Sequence, residues 1–244
     1  MIEAVLFDGD QTLWDFERVM RRALEATASE LRQARPGPWT ATLTWEDLAR
    51  DRHDVGAELE GVEYDLARLR SLGFARTLER LQPAGGATAA DDAALAEALS
   101  ASYFVHRDRD PALFEDTLPC LDALRPDYRL GLLSNGSRLP ETVGLGGYFE
   151  SVVFAQDHRV AKPDARLFDI CRRRFGLAPE ACVLVGDHRL NDVVGAKRAG
   201  WSAVWIDRAG DGTFTPPDGC SEVPDGVVTS FDQLPSVLRR LGAP

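Results

Sequence analysis

Two carboxylates near the start of the chain have the type and spacing to do chemistry. In the stretch MIEAVLFDGDQTLWD, the apolar residues 4–7 are followed by Asp8 and Asp10, two positions apart. Like charges beside an apolar core repel each other and resist burial. The pair is therefore either an ordinary acidic turn or a site where a positive partner allows the carboxylates to act.

Polar side chains also follow three later apolar runs, where they could meet Asp8 and Asp10. They are Ser134 and Asn135 after RLGLL, Lys162 in the loop after SVVFA, and Asp187 and Asp192 after CVLV. Each has an ordinary structural interpretation taken singly: a Ser-Asn-Gly turn, a Lys-Pro-Asp helix start, and an N-cap at Asn191 or Asp192. Their order along the chain is what favours a shared site.

The elements that must position these residues are short apolar runs that alternate with helical patterns. Continuous apolar strands between helices predict a Rossmann-like, doubly wound α/β fold with a mostly parallel sheet. The predicted strands are 4–7, 129–134, 151–155, 182–186, 202–206 and a weaker 226–230. The helical patterns after the second strand are 138–146, 164–175, 189–199 and 231–241.

Residues 15–112 interrupt this alternation with helix patterns only, including one that starts from a Thr44 cap. Turn-rich connectors are predicted at 35–42 and 82–92. This predicts an α/β core made of 1–14 and 113–244, with a helical cap inserted after the first strand. Ligands of open α/β sheets bind at the carboxyl ends of the strands. The insertion point therefore places Asp8 and Asp10 in a covered cleft.

The composition excludes several classes of function. A net charge of −11 in 244 residues disfavours binding to nucleic acid and to anionic membranes. The four cysteines show no metal-binding spacing, and we see neither a signal peptide nor a membrane-spanning run. We therefore expect a soluble, cytoplasmic protein with reduced thiols. The sequence leaves the oligomeric state undecided.

The charges that would gather at the cleft indicate a metal-assisted reaction. The carboxylates of Asp8, Asp10, Asp187 and Asp192 exceed what Lys162 can neutralise, and Lys162 is one of only two lysines among 28 basic residues. Mg²⁺ binds through carboxylates, water and substrate phosphate oxygens, so it is the natural cofactor. Asp8 could then act as a nucleophile, and Asp10 as the general acid and base.

The motifs FDGDQTL, LLSNGS, AKPD and GDHRLND, with a helical insertion after the first, resemble the haloacid dehalogenase superfamily. The resemblance is to the type with a helical cap between the first and second motifs. It implies that Asp8 is nucleophile and metal ligand, and that Asp10 transfers protons and gives Mg²⁺ its carbonyl. It also implies a Mg²⁺ ligand at Asp187, with Asp192 acting directly or through water. The implied phosphate-binding residues are Thr12, Ser134, Asn135 and Lys162.

Three residues depart from the family pattern: Gly9 replaces a bulky apolar residue, Gln11 replaces glycine or aspartate, and His188 replaces serine. We expect Gly9 to loosen the turn, and His188 to lie beside the metal site or face substrate rather than bind metal.

Within the family, a phosphate ester needs an acid for its leaving group, whereas the founding dehalogenases lack the second aspartate. Asp10 thus favours a phosphatase acting on a small phosphorylated metabolite. A phosphomutase or other phosphotransferase, a dehalogenase, and a binding module without catalysis are the alternatives. Cap residues that could touch substrate are Arg18, Arg21, Arg22, His53, Tyr64 and His106.

Overall fold

The computed structural model describes residues 1–59, 64–81, 88–109 and 112–242. The chain divides into two compact units. One contains Met1–Phe16 and Ala112–Pro244, and the other is Glu17–Pro111. The first unit contains the sheet and the second contains helices only, among the residues described.

The first unit is built on a six-stranded sheet in the order β3-β2-β1-β4-β5-β6, with every neighbouring pair parallel. The predicted α/β fold and parallel sheet are confirmed. The first strand lies in the middle of the sheet, and all four of its residues are buried. The strands are β1 (Ala4–Phe7), β2 (Arg129–Ser134), β3 (Ser151–Phe154), β4 (Cys182–Gly186), β5 (Ser202–Ile206) and β6 (Gly226–Val228).

The helical unit matches the helix patterns seen in residues 15–112, and also contains a short helix in the predicted connector 35–42. Thr44 and Thr88 each begin a helix with a capping box, in which the hydroxyl and a carboxylate three residues later satisfy backbone N–H groups. The predicted connector 82–92 lies partly outside the described residues. The helices are α1 (Phe16–Ala34), α2 (Pro38–Ala41), α3 (Trp45–Glu58), α4 (Leu66–Leu81) and α5 (Ala89–Asp108).

The remaining helices belong to the first unit. The helix predicted at 138–146 was wrong: only a 3₁₀ turn, Pro140–Val143, forms there, because Gly144 adopts a left-handed conformation that ends it. The pattern at 189–199 divides into a π-helical turn, Arg189–Val194, and a short helix. The helices are α6 (Thr117–Leu124), α7 (Ala155–His158), α8 (Ala165–Phe175), α9 (Gly195–Arg198) and α10 (Leu234–Gly242).

Each unit has its own apolar core. In the first unit, side chains of the sheet pack with α6 and α10, and in the second the core joins α1, α3, α4 and α5. None of the described helices combines the length and the apolar character needed to span a membrane. The four cysteines are free thiols, three of them buried.

Candidate active site

Asp8 lies at the carboxyl end of the central strand, where parallel α/β sheets bind ligands. Its backbone N–H donates to the carbonyl of Val185 at 2.9 Å, so the ladder between β1 and β4 continues to this residue. Asp8 is only 7% exposed. The sheet therefore fixes a buried carboxylate at its edge.

Lys162 supplies the positive partner that this carboxylate needs. Its Nζ lies 2.7 Å from Oδ1 of Asp8 and 2.6 Å from Oδ1 of Asp192, and the lysine is buried. The side chain of Asn135 holds the backbone of Lys162 from both sides. Its Oδ1 accepts from the Lys162 N–H at 2.8 Å, and its Nδ2 donates to the Lys162 carbonyl at 3.0 Å. The loop that follows β2 thus positions the backbone from which the Lys162 ammonium extends.

Asp192 reaches the site because the chain makes a π-helical turn directly after β4. Its Oδ2 accepts the backbone N–H of His188 at 2.9 Å, so both carboxylate oxygens of Asp192 are already hydrogen-bonded within the protein. A Cβ on Gly186 would lie 2.4 Å from Cγ of Asp192, so only glycine allows this approach. His188, and not Asn191 or Asp192, is the N-cap of the turn, since its Nδ1 accepts the Asn191 N–H at 3.1 Å.

Asp187 completes a group of three carboxylates. One oxygen from each of Asp8, Asp187 and Asp192 lies within 4.8 Å of the others. The Thr12 hydroxyl donates to Oδ1 of Asp187 at 3.3 Å, and the indole of Trp205 donates to the Asp187 carbonyl at 2.6 Å. An all-oxygen set of carboxylates suits a hard divalent cation, so these residues fit Mg²⁺.

The electrostatics of the group favour that cation. Burial raises the pKa of Asp8 to about 8; Lys162 opposes this shift, whereas the neighbouring carboxylates add to it. Burial likewise raises the pKa of Asp187 to about 7, with the charge of Asp192 adding to the shift. Burial would lower the pKa of Lys162, but Asp192 and Asp8 outweigh it and raise that pKa, so the ammonium stays charged. One ammonium cannot neutralise three carboxylates, and a bound cation would supply the missing positive charge.

Asp10 lies in a separate environment from Asp8. Its Oδ1 accepts the indole N–H of the buried Trp14 at 2.6 Å. The turn that brings them together has Gln11 in the left-handed region, with a φ of 58°, and the Gln11 N–H bonds the Trp14 carbonyl at 2.8 Å. The loop after β2 packs closely against this carboxylate, since a Cβ on Gly136 would lie 2.8 Å from Oδ2 of Asp10.

Ser134 ends β2 on the same edge of the sheet. It is 1% exposed, and its Oγ accepts the Gly136 N–H at 3.0 Å. The structure therefore brings together four of the predicted site residues: Asp8, Lys162, Asp187 and Asp192. Thr12 contacts Asp187, Asn135 contacts Lys162, and Ser134 contacts Gly136 in the loop after β2. Asn135 uses its side chain for the backbone of Lys162.

The expectation that Gly9 loosens the turn is not what the structure shows. A Cβ on Gly9 would lie 2.4 Å from the Trp14 ring, so the indole fills the space that a side chain would take. The bond between Trp14 and Asp10 was not predicted from the sequence. The available signal was glycine replacing a bulky residue five positions before a tryptophan.

A second residue that sequence reasoning missed is Arg208, which supports the loop after Asp10. Its guanidinium donates to the Thr12 carbonyl at 2.7 Å, pairs with both oxygens of Asp116 at 2.9 Å, and stacks on Phe114 and Phe231. No local sequence pattern marked it, because its partners lie 92 and 196 residues away in the chain.

The residues of the helical unit that were candidates for substrate contact have local partners or exposed positions within that unit. Arg21 pairs with Glu25 at 2.9 Å and stacks on Trp45, and Nε2 of His106 lies 2.7 Å from Glu30. The other candidates, Arg18, Arg22 and His53, are exposed, and Tyr64 is partly buried.

The fold and the carboxylate–lysine group define the class of protein. A sequence model of the haloacid dehalogenase-like hydrolase family matches residues 2–200, and the chain belongs to this family. It is therefore a hydrolase with the parallel-sheet fold of that family.

Its similar relatives include phosphatases. The chain is 29% identical to the glyceraldehyde 3-phosphate phosphatase of Methanopyrus kandleri over 250 residues, which cover 99% of each chain. It is 30% identical to the 5-amino-6-(5-phospho-D-ribitylamino)uracil phosphatase YigB of Escherichia coli over 207 residues, 84% of this chain and 83% of the other. Among solved structures, the 2-haloacid dehalogenase from Pseudomonas syringae pv. Tomato is similar, with a TM-score of 0.77, 29% identity, and coverage of 98% of this chain and 99% of the other.

Proposed function

We propose that this protein is a Mg²⁺-dependent phosphomonoester hydrolase that acts on a small phosphorylated metabolite. The observation that carries the proposal is the buried ammonium of Lys162, within 2.7 Å of Asp8 and 2.6 Å of Asp192, beside the carboxylate of Asp187. This arrangement places the nucleophile beside a positive charge that can also contact a phosphoryl oxygen. The phosphatases among the relatives support the same reaction.

In the proposed first step, a carboxylate oxygen of Asp8 attacks phosphorus, and the bond from phosphorus to the ester oxygen breaks. Asp10 donates its proton to the departing alkoxide, which leaves as the alcohol. Ser134, the Asn135 backbone and Lys162 bind the phosphoryl oxygens and orient the group. The aspartyl-phosphate on Asp8 is the covalent intermediate.

In the second step, water attacks the phosphorus of that intermediate while Asp10 accepts a proton from the water. The bond from phosphorus to Asp8 breaks, which restores the carboxylate and releases inorganic phosphate. When Mg²⁺ is bound, it neutralises the negative charge shared by the phosphoryl group and the carboxylates. Asp8, Asp187 and the Asp10 carbonyl would hold it. Because both oxygens of Asp192 are hydrogen-bonded, we assign Asp192 to holding Lys162 and to binding the cation through water.

We further propose that the helical unit, with the predicted bounds 15–112, acts as a cap that excludes water during turnover. We place the reaction in the cytoplasm, which the four free thiols support.

The test is release of phosphate from p-nitrophenyl phosphate by the purified protein. We expect activity that depends on Mg²⁺, is lost in Asp8→Asn, and is unchanged in Asp127→Asn, which alters an exposed carboxylate. Absence of activity in the wild type, or equal activity in Asp8→Asn, would overturn the proposal. Adding an alcohol acceptor separates hydrolysis from a phosphotransferase, since only the latter moves the phosphoryl group to the acceptor.

Dehalogenase activity is the second candidate, because a similar solved structure is a 2-haloacid dehalogenase. A halide leaves without a proton, so that reaction has no use for Asp10. Release of chloride from 2-chloropropionate, assayed beside phosphate release, distinguishes the two. We expect phosphate release alone.

A further inference from the structure

Cations with low exposure in this protein show how it normally stabilises a positive charge. Lys162 contacts two carboxylates, Arg208 pairs with both oxygens of Asp116, and Arg107 donates to Asp108 at 2.8 Å. Such pairing is the general rule, since a charge removed from water needs a partner.

Arg70, on α4 of the helical unit, departs from this rule. It is 7% exposed, and its guanidinium lies 4.1 Å from the centre of the Tyr103 ring. Tyr103 also favours the charged form of Arg70 electrostatically. Among the described residues, no carboxylate pairs with Arg70 or contributes to its electrostatic environment. The face of an aromatic ring satisfies only part of a guanidinium, which has five N–H donors.

A second arginine, Arg52 on α3, lies beside Arg70. The two helices approach closely at Gly73, where a Cβ would lie 2.8 Å from Cβ of Arg52. Burial lowers the pKa of Arg52, and the charge of Arg70 lowers it further. Arg52 also lacks a carboxylate partner within the described part of the chain. The two guanidinium groups therefore repel each other in a place from which water is partly excluded.

Arg107, on α5, adds a third positive charge that acts on Arg70. Its Nε donates to Oδ1 of Asp108 at 2.8 Å, and it stacks on Phe104. Burial lowers the pKa of Arg70, Tyr103 opposes the shift, and the charge of Arg107 adds to it. Three helices thus bring positive charges together in a chain whose net charge is −11.

We propose that Arg52 and Arg70, with Tyr103, form a binding site in the helical unit for an anionic oxygen group, a carboxylate or a phosphate. Arginine stays charged at every physiological pH, so the repulsion cannot be relieved by loss of a proton. A planar guanidinium matches the two oxygens of a carboxylate or phosphate with two parallel hydrogen bonds. A bound anion would supply the counter-charge that the other buried cations obtain from aspartate.

The first experiment measures binding of inorganic phosphate by calorimetry, with EDTA present and sodium chloride matching the ionic strength. We expect saturable binding to the wild type, at least tenfold weaker binding to Arg70→Met and Arg52→Met, and unchanged binding to Arg68→Met, an exposed arginine on the same helix. Lys162→Met distinguishes this site from the catalytic one. Phosphate binding that survives Arg70→Met and is lost in Lys162→Met would overturn the proposal, as would no saturable binding at all.

The change in Tm on adding phosphate distinguishes anion binding from a purely structural role of these arginines. A structural role would affect Tm equally with and without phosphate. Without phosphate, Arg52→Met removes repulsion, so we expect its Tm to equal or exceed that of the wild type. With phosphate, the wild type gains Tm and the variant does not, so the order reverses. If Arg70→Met does not fold, Arg52→Met alone decides the question. An equal gain in both proteins contradicts the proposal.

A second arm identifies the source of the anion and rests on the proposed phosphatase function. Glycerol 3-phosphate and 3-phosphoglycerate differ at the end away from the phosphate, where the second carries a carboxylate. If the site takes an acidic group of the substrate, Arg70→Met raises KM for 3-phosphoglycerate at least tenfold and leaves that for glycerol 3-phosphate unchanged. If it takes a free anion, both KM values stay unchanged while phosphate binding is lost. Inactivity of the wild type would count against the phosphatase assignment and leave the calorimetric test decisive for the anion site.

Discussion

The indole N–H of Trp14 donates to Oδ1 of Asp10 across 2.6 Å, while the ring of Trp14 occupies the space over Gly9. The residue we assign to proton transfer is therefore oriented by a buried side chain four positions later in the chain. A hydrogen bond between a neutral donor and a carboxylate contributes about 1.5–3 kcal/mol. Such an anchor restricts Asp10 to one position relative to the leaving group.

Trp14→Phe removes this N–H and keeps an aromatic ring. We expect kcat to fall by about 10- to 100-fold for an alkyl phosphate, because an unanchored Asp10 protonates the alkoxide poorly. The loss for p-nitrophenyl phosphate should be several-fold smaller, since p-nitrophenolate departs without full protonation. Steady-state kinetics of both substrates measure the ratio. Asp10→Asn is the comparison and should show the same dependence on leaving group, while an equal loss on both substrates would assign Trp14 a general packing role.

Lys162→Met should strongly destabilise the protein, because it leaves the buried carboxylates of Asp8 and Asp192 without their cation. Breaking a buried pair in this way costs about 3–5 kcal/mol. Lys197→Met is a matched control, since Lys197 is the only other lysine and pairs with Asp225 nearer the surface, at 30% and 28% side-chain exposure. Its loss should cost about 1 kcal/mol or less. Urea unfolding near pH 8 measures the loss of stability in each variant. Equal losses would show that Asp8 and Asp192 do not depend on the charge of Lys162.

The pH dependence of stability follows from the raised pKa values of Asp8 and Asp187, about 8 and about 7. In the metal-free protein, the folded state binds more protons than the unfolded state between their ordinary and raised pKa values. The contribution of these groups to stability is therefore present at low pH and decreases as pH rises from about 4 to about 8.

Mg²⁺ should reverse that trend, because a bound cation stabilises the ionised carboxylates and releases their protons. We expect the gain in Tm on adding Mg²⁺ to EDTA-treated protein to be larger near pH 8 than near pH 5.5. Asp187→Asn should reduce the gain at both values. A gain that does not vary with pH would contradict the assignment of these carboxylates as ligands.

Gly9→Ala tests the contact between Gly9 and Trp14. The new Cβ would lie 2.4 Å from the indole, so we expect a loss of about 1–3 kcal/mol in the free energy of unfolding. Gly37→Ala is the control, because its Cβ would meet no atom within 4 Å and should change stability by about 0.5 kcal/mol or less. Adding Trp14→Leu to Gly9→Ala should cost less than the sum of the single losses, and strict additivity would show that the two residues do not interact.

Several features of the fold and site were predictable because they depend on local patterns. Strand β1 was recognisable from its apolar run, α3 from its Thr44 cap, and the common edge from polar residues that follow parallel strands. The helix predicted at 138–146 does not form because Gly144 adopts a left-handed conformation, which stops a helix. Local chemistry therefore predicted the elements well, and their exact extent less well.

The sequence by itself determined which residues come to the sheet edge, because the carboxyl ends of parallel strands must share that edge whatever their separation in the chain. Only the tertiary structure decided which atoms meet there. Asn135 holds Lys162 across 27 residues, Thr12 bonds Asp187 across 175, and Arg208 supports Thr12 across 196. The same holds for Arg52 and Arg70, whose nearness depends on the close approach of two helices at Gly73. Periodicity and turn chemistry act over a few residues, whereas hydrogen bonds and charge repulsion depend on distances that only packing sets.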